Sequence, residues 1–468
     1  MTEYGKPLSA NTTPIPGLTL WELPVHGDNR GWFKENWQRE KMTALGLPDF
    51  GPVQNNVSFN DAVGTTRGIH AEPWDKFVSV ATGRIFGVWV DLRAGPSFGT
   101  TFTAELDASR AVFVPRGVAN AFQTLEANTS YVYLVNDHYS LDAEYVYLNV
   151  ADETLAIDWP IPLEQAELSA KDRTHPRLAD VRPVPRRKTL VLGANGQLGR
   201  ALRAEYSGDA NVEFVTRAEV DLATDLETAV RWQDYDTVIN AAAYTAVDEA
   251  ETATGRAAAW AVNVTGVAAL ARIATARGLT LVHMSSDYVF DGTSETPYRE
   301  DDLVAPLGVY GQTKAAGDQI VGTVPRHYIV RTSWVIGDGH NFVRTMQSLA
   351  ERGVNPSVVD DQFGRLTFTT DLARVIRHLT SAGASFGTYH VTGSGPAMSW
   401  ADVARRVFEL SGHDPERVTG VSTDDYFASA SGPVAPRPRN SMLDNQKLAS
   451  TGFTPEPVDA SLVHYLLG

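Results

Sequence analysis

Cysteine is absent from the 468 residues, which removes disulfides, thiolate nucleophiles and thiolate metal sites together. Positive charge is scarce as well. Only 40 Lys and Arg stand against 56 Asp and Glu, a formal charge of −16, so no cationic excess exists to track a nucleic-acid backbone. A few local arginines would still suffice for a phosphate-bearing small molecule. No apolar run approaches the roughly 20 residues that span a bilayer, and the polar stretch Met1–Thr12 does not read as a secretory signal. What is present, 43% hydrophobic and 21% charged residues, suits two or three ordinary globular domains. A cytoplasmic chain with no nucleic-acid or membrane partner is expected.

The front of the chain holds short β-like runs, Phe77–Val80, Ile85–Val90, Ala111–Pro115 and Tyr131–Val135, separated by Gly, Asn and Asp turns. Such spacing predicts an all-β sandwich or barrel. The pattern breaks into proline and positive charge at Val181–Arg187, the natural linker. After Lys188 strands alternate with helical segments, including an Ala-rich stretch over Ala257–Arg277, which predicts a parallel sheet covered on both faces. The expected domains are therefore 1–180, a linker at 181–187, and 188–468.

In the second domain, Gly193, Gly196 and Gly199 follow a strand and lead into a helix, where a pyrophosphate would meet the helix N-terminus. The spacing, glycine at every third position, differs from GxGxxG, and alone it could be a capping loop. Arg217 or Asp221 could meet the adenosine end, Arg217 suiting a 2′-phosphate, or either could be a solvated charge. Tyr310-Gly-Gln-Thr-Lys314 sets a phenol and an ammonium on one helix face, where the cation is expected to lower the phenol pKa. Ser285 and Ser286, with Asp287 behind them, end a strand where a substrate carbonyl could sit.

These stretches, with Asn240–Asp248, Arg331–Trp334, Asp361–Gly364 and Arg437–Ser441, resemble the dTDP-4-dehydrorhamnose reductases among the extended short-chain dehydrogenases/reductases. The resemblance covers nearly the whole second half and implies a Rossmann-type doubly wound sheet with a small substrate lobe, binding NADPH or NADH. It makes Tyr310 the acid, Lys314 its partner and ribose ligand, and Ser286 and Asp287 neighbours of the reacting carbonyl. Asn195, Gln197, Leu198, Ala241, Ala242 and Tyr244 would join the three glycines around the cofactor, and Trp334 and Arg437 would contact the sugar nucleotide. Leu366 stands where the family usually has proline.

The first domain has His26, His70, His138 and His175. A metal-binding cupin usually offers two close histidines and a carboxylate; no such set is apparent near His70, so no metal is expected. A lone histidine is more often structural than catalytic. In Thr66-Arg67-Gly-Ile-His70-Ala-Glu-Pro-Trp-Asp-Lys76, however, two cations flank it that could stabilise an oxyanion, and histidine suits proton removal beside a ketone. Together with Asp28–Phe33, Val53–Asn56, Val90–Arg93, Val114–Gly117, Val132–Tyr133, Tyr139–Ser140, Asp158–Pro160 and Leu168–Asp172, the stretch resembles the dTDP-4-dehydrorhamnose 3,5-epimerases, cupin-type jelly rolls that need no cofactor. That likeness makes His70 the base, Asp172 its support and Tyr133 the opposing acid, with Arg67 and Lys76 on the enolate oxygen or the phosphates. Arg30, Glu35, Gln54, Asn56, Asn120 and His138 would complete the substrate contacts. Asn120 replaces a usual histidine, His138 a usual tyrosine, and Leu134 a usual lysine.

The two chemistries fit in series: epimerisation at C3 and C5 of a dTDP-linked 4-keto-6-deoxy sugar yields the ketone that the reductase reduces at C4, giving dTDP-L-rhamnose. The alternatives are a reductase with a non-catalytic β-module, epimerisation at one carbon, or a UDP donor. A homo-oligomer, a dimer, is expected; the non-catalytic module is physically reasonable because a cupin-type β-sandwich pairs readily through its edge strands.

Overall fold

β-Branched and aromatic residues fit a pleated surface: along 54–60 exposed and half-buried positions alternate, whereas 76–80, 85–91, 111–114 and 118–124 are buried on nearly every position because both faces of those strands are covered. The computed structural model describes residues 5–138 and 145–467; the Tyr139–Ser140 match lies outside them. Contacts divide the chain into two units, Met1–Arg186 and Arg187–Gly468.

In the first unit the strands are β1 (Ser9–Thr12), β2 (Thr19–Glu22), β3 (Val25–Asp28), β4 (Gly31–Lys34), β5 (Gln54–Asn60), β6 (Thr66–Ala71), β7 (Lys76–Thr82), β8 (Ile85–Asp91), β9 (Thr101–Leu106), β10 (Arg110–Val114), β11 (Val118–Thr124), β12 (Thr129–Val135) and β13 (Val146–Tyr147). One short α-helix, α1 (Arg39–Ala44), precedes β5. Two antiparallel sheets, ordered β1-β2-β10-β7-β12-β5 and β13-β6-β11-β8-β9, account for all but the β3–β4 hairpin. Their inner faces share a core in which Val78, Val80 and Val112 of one sheet meet Ile85, Trp89 and Phe122 of the other. The opposite face of the first sheet buries Trp21, Phe77 and Phe113 against Met42 of α1.

A register shift in β6 sets the site. Asn120 of β11 faces His70, but two residues on Phe122 faces Arg67, three residues back. Arg67 and His70, an odd number of residues apart, would point to opposite faces of a regular strand; the bulged residue brings both to one cavity. Gly68 makes the bulge possible. Its φ is +113°, and a Cβ there would lie 2.7 Å from the Asn120 carbonyl oxygen.

Val184, within the expected linker, is bonded to the first unit. Val184 N–H donates to the Leu92 carbonyl at 2.7 Å and its own carbonyl accepts from Ala94 at 2.8 Å.

In the second unit β14 (Lys188–Leu192), β15 (Val212–Val215), β16 (Tyr235–Asn240), β17 (Thr280–Ser286), β18 (His327–Thr332) and Gly387–Val391 form a parallel sheet. The order is β15-β14-β16-β17-β18 followed by Gly387–Val391. The apolar runs lack polar alternation because both faces are covered. Leu190, Val238, Leu281 and Ile329 pack beneath one helical layer, and Val191, Ile239, Val282 and Val330 beneath the other. The principal helices are α2 (Gln197–Glu205), α3 (Ala253–Trp260), α4 (Val267–Arg277) and α5 (Val309–Val321). A third core, with Val343, Phe368, Phe408 and Leu462, forms the C-terminal lobe.

The Ala-rich stretch is longer and less regular than its composition suggests, since a π-helical turn at Ala261–Gly266 joins α3 to α4. Gly266 lies so close to Leu222 that a Cβ would come 2.2 Å from its carbonyl oxygen, and Asn263 turns inward onto Tyr244 and Thr313. The combined helix, Ala253–Arg277, is long and apolar enough to cross a membrane, but Val267, Leu270, Ile273 and Ala274 are spent in the core beneath the sheet.

At the mouth of β14, α2 packs so tightly on the preceding loop that a Cβ at Gly199 would lie 2.3 Å from the Gly193 carbonyl oxygen. Because backbone must move to admit it, Gly199→Ala is expected to lower stability by about 1–3 kcal/mol. Thermal unfolding of the variant checks this; an unchanged Tm would mean the loop yields freely.

Candidate active sites

The first site is a cavity of about 690 Å³ in the first unit, lined by β6, β7, β11 and β12 and by residues 169–175. His70 Nε2 lies 3.0 Å from Asp172 Oδ1, and the carboxylate is almost wholly buried. A carboxylate accepts only, so it holds the proton on Nε2 and leaves Nδ1 as the basic nitrogen. Lys76 is 3% exposed and is held by an ion pair with Glu72 and by the Asn120 side-chain oxygen at 2.5 Å. Burial lowers its pKa, and Glu72 opposes that fall. With its oxygen taken by Lys76, the Asn120 amide donates to the Tyr131 hydroxyl at 3.3 Å. Tyr133 lines the same cavity, its pKa raised by burial and by Glu72. Arg67 reaches the rim, donating to the Asn60 side chain at 2.9 Å.

Five expected contacts lie outside this lining. Arg30 is at the exposed β3–β4 turn, paired with Asp28; Glu35 pairs with Lys41 beside a separate small pocket. Gln54 and Asn56 bond each other along β5, and His138 is exposed. Conversely Glu72, Tyr131, Tyr145, Tyr147, Lys171 and His175 line the cavity without having been singled out from sequence.

The ground for expecting no metal, that nothing near His70 supplies a second histidine and a carboxylate, fails. His70, Asp172 and His175 each offer a ligand atom within 4.8 Å of the others. The strands hid this, because 102 residues separate His70 from Asp172. The Asp172–His175 spacing was the available signal.

The second site gathers at the C-terminal ends of β14, β16 and β17, where the strand order reverses and ligands of such sheets bind. Gly193 has φ +81°, and a Cβ there would strike the Ala242 backbone nitrogen at 2.8 Å. Ala241 N–H donates to the Leu192 carbonyl and Ala242 N–H to the Asn240 side chain. The bare loop and the start of α2, with Asn195 and Gln197 exposed or half-buried and Leu198 packed on the core, fit a dinucleotide pyrophosphate. Arg217 and Asp221 bond each other at 3.0 Å, and the arginine is largely exposed.

Lys314 is 2% exposed, and its Nζ donates to the Met284 carbonyl at 2.5 Å. Burial lowers its pKa to about 8, against the pull of Asp318. Asp318 in turn is bound by Arg331 at 2.9 Å, both deeply buried. Ser286 donates to Asp287 at 2.8 Å, and burial lifts the Asp287 carboxyl to about 6. Tyr310 packs edge-on to Tyr288 at 5.5 Å. The expectation that Lys314 lowers the phenol pKa is corrected: burial, then Asp287 and Tyr288, raise it.

Tyr244 is held through its backbone by Asn263 at 2.9 Å. Arg437 grips both Asp248 oxygens at 2.9 Å, and Trp334, with φ +48°, stacks on Trp400 at 3.7 Å. Leu366, at the family's proline position, is fully buried in the lobe core.

Two family models match. Residues 12–180 match dTDP-4-dehydrorhamnose 3,5-epimerase, and residues 187–467 match the RmlD substrate binding domain. The chain is similar to a Streptococcus pyogenes serotype M6 protein named RmlC homolog, 50% identical across 39% of this chain and 98% of that protein. It is similar to the dTDP-4-keto-6-deoxy-D-glucose reductase of Streptomyces niveus, 42% identical across 57% of this chain and 91% of the other. Among solved structures, the dTDP-4-dehydrorhamnose reductase of Bacillus anthracis in complex with NADP matches with a TM-score of 0.55 at 32% identity, covering 60% of this chain and 98% of that one.

The Lys76–Glu72 pair generates a stability prediction. Glu72→Gln leaves a buried ammonium with neutral partners only and should cost about 3 kcal/mol in urea unfolding. Adding Lys76→Met should return part of that loss, and a double variant as unstable as the single would contradict the account.

Proposed function

The chain belongs to the dTDP-4-dehydrorhamnose 3,5-epimerase family in its first unit and to the RmlD family in its second, and from that premise we propose how its residues carry out the two reactions. It is a bifunctional enzyme that epimerises dTDP-4-dehydro-6-deoxy-D-glucose at C3 and C5 and reduces the product at C4 to dTDP-L-rhamnose. The observation that carries the reading is the His70–Asp172 pair, which shares one cavity with Tyr133 and a buried ammonium.

The 4-keto group acidifies the protons on C3 and C5. His70 takes one at Nδ1, while Asp172, bonded to Nε2–H, supports the imidazolium that forms. The charge on the resulting enolate oxygen is stabilised by the Lys76 ammonium, which Asn120 and Glu72 hold in the cavity wall. Tyr133 returns a proton from the other face, inverting the carbon. Arg67 at the rim suits the diphosphate.

NADPH or NADH, when bound to the second unit, supplies the hydride that reduces C4. Tyr310 donates its phenolic proton to the nascent alkoxide; its raised pKa keeps that proton in place until the alkoxide forms. Ser286 orients the carbonyl. Lys314, anchored by Met284 and Asp318, contributes positive charge beside the ribose, while Arg437 and Trp334 hold the sugar nucleotide.

We also read the first unit as a cupin-type jelly roll, the second as a Rossmann-type fold, and the protein as a cytoplasmic homodimer. Support for pairing comes from edge strand β5, whose Val57 and Phe59 are 64% and 54% exposed. Sedimentation at the mass of a single chain would remove that part of the reading.

In D2O without nicotinamide, the enzyme should incorporate deuterium at C3 and C5 of dTDP-4-dehydro-6-deoxy-D-glucose, and His70→Ala should lower the rate by at least about 100-fold. Labelling at one carbon would overturn the double epimerisation, and no labelling would make the first unit a non-catalytic module. For reduction of the epimerised ketone, Lys314 is an ammonium below about pH 8 and neutral above it. The kcat/KM for the cofactor, which reports the free enzyme, should therefore fall as pH rises past about 8. A flat profile up to pH 10 would show that the charge is not required.

A further inference from the structure

One carboxylate oxygen in the first unit serves two imidazoles. Asp172 Oδ1 lies 3.0 Å from His70 Nε2 and 3.8 Å from His175 Nδ1. His175 Nδ1 is buried without a hydrogen-bond partner, and its ring is fixed by stacking on Tyr147 at 4.8 Å. The same tyrosine meets His70 edge-on at 5.2 Å. Two neutral imidazoles and a carboxylate are a donor set that first-row transition cations favour, and the cavity beside them leaves room for water as the fourth ligand.

We propose that His70, Asp172 and His175 form a binding site for Zn2+-type cations, and that occupation of this site switches off proton abstraction by His70. The inference rests on the epimerase reading above. A tetrahedral ion with bonds of about 2 Å sets its ligands about 3.4 Å apart. The three ligand atoms, within 4.8 Å of one another, need only a small inward rotation, which His70, with its side chain 34% exposed, can make. His175 surrenders no existing bond.

Inhibition follows from where the proton sits. In the metal-free site Nε2–H donates to Asp172 and Nδ1 holds the basic lone pair. Coordination uses the Nε2 lone pair, so the ring's single proton moves by way of solvent to Nδ1. No proton is gained or lost overall, but Nδ1, the nitrogen that takes the substrate proton in the reading above, is no longer a base.

The test uses the full chain stripped with EDTA and then freed of chelator. Deuterium incorporation into the 4-keto sugar nucleotide, without nicotinamide, is followed against added Zn2+. Wild type should lose the activity and regain it with EDTA. In His175→Gln the half-inhibiting Zn2+ concentration should rise at least about tenfold relative to that variant's own metal-free rate. Co2+ supplies a second readout independent of activity: wild type should show visible d–d bands that are absent in His175→Gln and Asp172→Asn.

Equal Zn2+ sensitivity in wild type and His175→Gln or no Co2+ bands in wild type would overturn the site, and stimulation by Zn2+ would overturn the switch. Failure of the metal-free wild type to exchange at all would overturn the epimerase reading instead, leaving the Co2+ spectra to decide the site by themselves.

Discussion

Each half of the chain is organised around one ammonium taken out of water. Lys76 and Lys314 are 3% and 2% exposed, and a charge so buried persists only where fixed partners replace its hydration. The partners come from different elements in the two folds. Lys76 is held by a carboxylate one turn of chain away and an amide from the neighbouring sheet. Lys314 is held by a strand-end carbonyl and the field of Asp318, itself pinned by Arg331. The packing of β7 on β11 across the two sheets and of α5 on β17 is therefore not free to drift, because a shift would strand a charge.

Local patterns were legible and distant ones were not. The strand–glycine–helix start of the second unit and the Tyr310–Lys314 spacing lie within a few residues, so periodicity and turn chemistry expose them directly. His70 and Asp172 come from segments that only the folded sheets bring together, and their pairing could be anticipated only through family likeness. The direction of the Tyr310 shift is not legible in the sequence, because spacing says which residues share a helix face but not where a long side chain ends. Lys314 runs to the Met284 carbonyl instead of to the phenol. His175 lies three positions from Asp172, but a single histidine in a loop carries no periodic signal.

The arrangement also accounts for the division of labour. Epimerisation needs a base and an acid on opposite faces of a ring, and facing sheets supply side chains from both walls of a cavity. Reduction needs a flat cofactor laid along strand ends, and a parallel sheet with its switch point supplies that. A ketone at C4 is the common requirement: it acidifies the neighbouring carbons in the first reaction and is consumed in the second. The order of the chemistry is thus dictated by the substrate, since reduction first would remove the acidity that the epimerase uses.

The bulge at Gly68 has a bearing on heritable variation. Along most of the first unit a strand can exchange one residue type for another of similar shape, and turns can lengthen or shorten. Between Arg67 and His70 length itself is the constraint. Adding or deleting a residue there turns one of the two side chains to the far side of the sheet, and replacing the glycine drives a side chain into the Asn120 carbonyl. Descendants of this sequence can therefore drift in composition around the site, but the count of residues between its cation and its base is locked.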